Sequence, residues 1–201
     1  MRKLLDMGMG GQIRKLIIEM GTGSLDALES ARKSLDGEFN GTVETASRLH
    51  LMRDEVLDIA TELLVRYSPV AGDLRFIQSA IDVSYDLYRI SRYAMEIERT
   101  MRVVKPDCVP GLSKEGFEVT VKAVRTAIDG FSNLDETSAG RLLELDEKID
   151  GLYLKSLENL RDPDRCSAVD ALILRHLERI SDHAKEIGGA RVVYIREGKR
   201  L

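Results

Sequence analysis

Two stretches of this chain occur twice. Asp54-Glu55-Val56-Leu57-Asp58 aligns with Asp146-Glu147-Lys148-Ile149-Asp150 at an offset of 92, and Leu87-Tyr88-Arg89-Ile90-Ser91-Arg92-Tyr93-Ala94 aligns with Leu177-Glu178-Arg179-Ile180-Ser181-Asp182-His183-Ala184 at an offset of 90. Repetition at a nearly constant period means that one supersecondary unit has been copied, which constrains the architecture of the whole chain. The two-residue difference falls in the Pro-containing turn between the motifs, where loops absorb deletions that packed helices do not.

Apolar residues recur at helical spacing between a few breakers: Gly37 to Gly41, Ser68-Pro69, Lys105 to Gly111, and Arg161-Asp162-Pro163-Asp164. The spacing predicts helices over about 12–35, 42–67, 71–103, 113–133, 136–160 and 164–196. Pro69 sits near a helix start, as its fixed φ favours. Gly21-Thr22-Gly23-Ser24 should kink or loosen the first helix. Aromatic residues make up only 5%, with no Trp, which excludes an all-β sandwich. The expected fold is all-α, a tandem repeat of two antiparallel three-helix bundles with six long helices, the first unit over 1–106 and the second over 107–201.

Thirty Lys plus Arg against 34 Asp plus Glu leave a formal charge of -4, so no positive surplus is available to neutralise a nucleic-acid backbone. No window of eighteen residues is uninterruptedly apolar, and Asp6 follows Leu5 before a signal-peptide core could develop, so a soluble cytoplasmic protein is expected, reaching a membrane only through partners. Cys108 and Cys166 lack CxxC spacing and read as two reduced thiols.

Positions four apart share a helix face, which sets Asp146 beside Asp150 and stacks Glu178, Asp182 and Glu186. Like charges so placed repel, and each row needs a cation or arginines against it unless it is simply solvated. If the two rows converge, they form an oxygen-rich site with His176 and His183 nearby, a composition that suits a divalent metal or a small metal cluster. The same acids could instead pair with Lys148, Arg175 or Arg179. His183 points about 100° away from its neighbour Asp182 and reads as a neighbour of the site rather than a ligand. In the first repeat Asp54, Asp58 and Glu62 keep the acidic row, but Tyr88 and Arg92 stand where the second has Glu178 and Asp182. Arg92 paired with Asp54 or Asp58 would replace a metal, leaving that site metal-free or weaker.

A Gly-rich phosphate loop, HExxH, GxSxG and Glu-x-x-His pairs do not occur, so the chain reads as a non-enzyme. The catalytic alternative is a metal-dependent hydrolase using the second-repeat acids.

Ser68-Pro69-Val70-Ala71-Gly72-Asp73-Leu74-Arg75-Phe76, followed by Asp86-Leu87 and Arg89-Ile90, resembles the signature of PhoU proteins, the phosphate-uptake regulators. Leu177-Glu178-Arg179-Ile180-Ser181-Asp182-His183-Ala184 is similar to the same family's Leu-Glu-Arg-Ile-Gly-Asp-His-Ala pattern, so the resemblance spans both repeats. It implies metal binding by acid-x-x-x-Asp motifs, carried over as Asp146, Asp150, Glu178 and Asp182. The metal would be a divalent or trivalent ion such as Fe, Zn, Mn or Mg. Asp54 and Asp58 match in the first repeat, while Tyr88 and Arg92 depart from the pattern. His176 falls where the family often has Asp or Asn and would add a nitrogen ligand; Glu186 would be a further one. The resemblance also implies a negative regulator acting on the ATPase of a Pst-type phosphate transporter and, where present, a PhoR-type sensor kinase. A homodimer fits such a helical surface. The rival reading is a metal-free helical interaction module regulating another ion transporter.

Overall fold

The computed structural model describes residues 9–104, 111–161 and 165–199. Helix α1 (Met9–Lys33) runs into a 3-10 turn, Ser34–Asp36, closed by Gly37 at φ 85°. Helix α2 (Thr42–Tyr67) ends on Ser68, held at φ 44°, and α3 (Ala71–Val104) then extends over 34 residues. Helices α4 (Gly111–Asn133) and α5 (Ser138–Glu158) are joined through Leu134 at φ 51°. Helix α6 (Arg165–Lys185) passes through one π-helical turn, Glu186–Ala190, into α7 (Arg191–Glu197), so the sixth expected helix is one rod with a bulge.

Helices α1, α2 and α3 each pack on the other two, and α4, α5 and α6 do the same. The expected unit boundary between 106 and 107 lies outside the described residues. The bundles join through α3 against α6 and α1 against α4. Leu87, Ile90, Ala94 and Ile97 are buried on α3, and their counterparts Leu177, Ile180, Ala184 and Ile187 are equally buried on the last helix. The copied apolar stripe therefore does the same work in both halves.

The α3–α6 contact is itself nearly two-fold. Arg75 Nε donates to Ile195 O at 3.1 Å, and Arg165, its counterpart 90 residues on, donates to Val104 O. Asp86 pairs with His183 at 2.9 Å, while their counterparts His176 and Tyr93 stand ring to ring at 5.8 Å. Two copies of one helix packed antiparallel make a self-complementary interface, as in a symmetric dimer.

Helix α1 continues across Gly21–Ser24, where the small residues admit close neighbours: a Cβ on Gly21 would stand 3.0 Å from Ile128 of α4, and one on Gly23 would stand 2.7 Å from Leu49 of α2. Ser24 is buried and its hydroxyl reaches Leu87 O at 3.0 Å. One expectation is corrected: Cys166 is disulfide-bonded rather than reduced; Cys108 lies outside the described residues. Spacing alone does not reveal such a bond, since it depends on a tertiary contact. Among the described residues no helix is long and apolar enough to cross a membrane.

Candidate functional site

Helix α5 carries Asp146 beside Leu145 and Ile149 on its buried face, which sinks this carboxylate between α5 and α6 to 7% side-chain exposure. Helix α6 presents Glu178 and Asp182 one turn apart. The acids lie within electrostatic range of one another: Asp146 and Asp182 both act on Asp150, as do Asp182 and Asp150 on Glu178. Desolvation first, with the neighbouring acids, outweighs Lys185 and Arg175 at Asp150 and Arg175 and Arg179 at Glu178, and raises both carboxyls above the usual carboxylate range.

Cations from α6 hold this row. Arg175 Nη1 lies 2.7 Å from Glu178, and Arg179 Nη1 lies 2.6 Å from Asp182. The Lys185 ammonium donates to Asp146 and lies 3.4 Å from Asp182, bridging the two helices. Burial alone would lower the Lys185 group; the Asp146 hydrogen bond and both carboxylate charges outweigh it and raise it. Asp146 Oδ1 remains buried without a hydrogen-bond partner. Asp150 forms no ion pair among the described residues, so Asp150→Asn should remove net repulsion. In chelator-treated protein it is expected to stabilise the fold by about 0.3–0.5 kcal/mol. A lower thermal midpoint in the variant would instead reveal a compensating cation.

His176 and Glu186 do not join this cluster. His176 faces α3, where it meets Tyr93 and Glu96, and burial lowers its imidazole against the opposing pull of Glu96. Glu186 opens the π-helical turn and pairs with Arg191 at 3.6 Å, which also holds Asp82 of α3 at 3.1 Å. Its partner is therefore across the turn on Arg191 rather than in the acid row. His183, as its offset from Asp182 implied, turns to Asp86.

In the first repeat Asp54 pairs on its own helix with His50 at 3.6 Å and Arg53 at 3.8 Å, Asp58 stands exposed, and Glu62 pairs with Arg66 at 2.9 Å. The expected Arg92 partner is corrected: Arg92 pairs with Glu96 at 3.7 Å, one turn along α3, and not with Asp54 or Asp58. It lines a groove of about 400 Å³ with Val43, His50, Leu51 and Tyr88. The internal cation that sequence reasoning placed in the first repeat is found in the second, as Lys185. Its counterpart 90 residues earlier is Met95, a difference visible in the repeat alignment once position 185 is compared.

The donor set of four carboxylates suits a hard divalent cation, and the orphaned Asp146 oxygen is a ready ligand atom. Among the described residues, however, no three His, Cys, Asp or Glu side chains stand grouped to hold an ion, and Asp146, Glu178 and Asp182 are each held by a lysine or an arginine.

Residues 12–101 and 114–190 match the family model described as PhoU domain. The chain is 31% identical over 210 residues to a phosphate-specific transport system accessory protein PhoU homolog of Zymomonas mobilis, covering 96% of this chain and 86% of that protein. A homolog from Archaeoglobus fulgidus is 28% identical, with 92% and 91% covered. The crystal structure of PhoU from Pseudomonas aeruginosa superposes with a TM-score of 0.85 at 24% identity, covering 94% of this chain and 97% of that one. The domain description thus falls once on each half of a duplicated six-helix fold, and the chain belongs to the PhoU family.

Proposed function

We propose that this protein is a regulatory accessory of a phosphate-specific transport system, a cytoplasmic negative regulator that restrains uptake by docking on the transporter's ATPase. The observation that carries this reading is the likeness to accessory proteins of that description over 96% of the chain. A PhoR-type sensor kinase is a second partner, and a homodimer is the working assembly. The chain is read as acting by binding rather than catalysis, a reading supported by its likeness to proteins described as transport-system accessory proteins.

A divalent or trivalent metal ion on Asp146, Asp150, Glu178 and Asp182 would require Asp146, Glu178 and Asp182 to turn from the lysine and arginines that hold them and gather around it. A bound ion would neutralise these acids and tie α5 to α6, stiffening one face of the second bundle. His176, Glu186 and the first-repeat acids are left out of this ligand set, since their partners lie elsewhere. Affinity purification from phosphate-replete cells tests the docking: the transporter's ATPase is expected to co-purify with the wild type. Its absence, with the ATPase of another ion transporter recovered instead, would favour the interaction module acting elsewhere.

A further inference from the structure

The stretch from Ser68 to Phe76, which carries the family resemblance, takes no part in the acid rows. Its residues Gly72, Asp73, Arg75 and Phe76 instead line a cleft of about 410 Å³ together with Arg14 of α1 and Arg196 of α7. Three arginines from three helices therefore share one cleft. Two of them are held in place by groups that carry no charge. The Arg14 guanidinium lies 4.5 Å over the ring of Phe76, which is buried and stacked on Phe131, and Arg75 Nε donates to Ile195 O at 3.1 Å. Neither arginine forms an ion pair among the described residues, whereas Arg196 is tied to Glu136 of the α4–α5 turn at 2.9 Å. Arg175 and Arg179 are each neutralised by an acid on their own helix; Arg14 and Arg75 are positioned and left uncompensated.

We propose that this cleft is an oxyanion site whose ligand is inorganic phosphate, held by Arg14, Arg75 and Arg196. The guanidinium fork matches the oxygens of a tetrahedral anion, and arginines from separate helices can take different oxygens at once, which a flat carboxylate does not offer. The start of the 34-residue helix α3 adds its positive end. Asp73 and Glu136, which also line the cleft, decide which anion fits. Near neutral pH phosphate keeps a proton that a carboxylate can accept, while sulfate has none to give and meets only repulsion. The choice of phosphate also rests on the transport reading above. Bound there, the anion would join α1 and α3 of the first bundle to the end of the last helix, so its presence would be felt in both halves.

Sodium phosphate, sodium sulfate and adenosine monophosphate are titrated separately by calorimetry, at fixed ionic strength, into the full chain and its Arg14→Gln variant, with circular dichroism confirming the helical fold. The wild type is expected to bind phosphate and neither of the others, and the variant to bind phosphate about tenfold more weakly, since one charged donor is lost. A second measurement needs no variant: the Arg14 and Arg75 Nε–H signals in proton–nitrogen spectra of the wild type should shift with phosphate and stay in place with sulfate. No saturable phosphate binding, equal affinity in the variant, or unmoved arginine signals would overturn the site. Sulfate binding as tightly as phosphate would overturn the selection by Asp73 and Glu136 and with it the assignment of phosphate. Tighter binding of adenosine monophosphate would give the cleft to a phosphate ester and overturn the free anion as its ligand. None of these outcomes touches co-purification of the transporter's ATPase, and loss of that co-purification with phosphate binding intact would remove the transport reading alone.

Discussion

Asp170→Ala is expected to lower stability by about 3 kcal/mol, because hydrogen bonds to a charged group contribute roughly 1.5–3 kcal/mol each and the groups left behind are buried. The first amide groups of any helix lack partners within it. At the start of α4 they are satisfied from across the bundle: Asp170 of α6 accepts Leu112 N–H at 3.0 Å and Ser113 N–H at 2.8 Å, and also the Ser113 hydroxyl. Asp170 is 6% exposed, so water cannot readily replace its carboxylate. Urea unfolding should show a lower midpoint with an unchanged slope, and Asp170→Asn, which keeps one acceptor oxygen, should recover part of the loss. A cost below about 1 kcal/mol for the alanine variant would mean that water replaces the carboxylate there.

Gly188→Ala should cost about 2–3 kcal/mol by overpacking. A Cβ at this position would stand 2.6 Å from Ala127 Cα and 3.1 Å from Ala127 O, so the clash is with the backbone of α4 rather than with a side chain that could turn aside. Its neighbour is the control. A Cβ on Gly189 would meet Ala139 at 3.8 Å, ordinary contact, so Gly189→Ala should change stability by less than about 0.5 kcal/mol. Thermal unfolding of the two variants separates backbone approach from any general intolerance of the π-helical turn. Because that turn begins directly after Lys185, the Gly188 variant should also disturb the Lys185–Asp146 pair, read as a shifted Lys185 ammonium signal.

The duplicated halves diverge at these positions. Asp170 corresponds to Ala80, and Gly188 to the buried Glu98, which accepts Thr42 N–H at 3.4 Å and pairs with Arg102 at 2.7 Å. Each bundle thus satisfies a helix start with an acid from a neighbouring helix, but from a different position. Single buried acids of this kind carry no periodic signal, which is why helix limits were legible and the groups that cap them were not.

What the sequence determined by itself was everything governed by periodicity: six helical rods, their breakers, the copied apolar stripe, and an acidic row on each of the fifth and sixth helices. Side chains three to four residues apart must share a face, and a buried stripe must find a mate. Only the tertiary structure decided which charge answers which. Arg92 had acids within imagined reach on α2 and took Glu96 on its own helix, while Lys185 crossed from α6 to α5. Glu186 took Arg191, and the antiparallel packing of α3 on α6 claimed both His176 and His183. Long charged side chains choose among several partners at small differences in energy, so their pairing follows helix rotation and the depth of each carboxylate, neither of which is encoded in spacing.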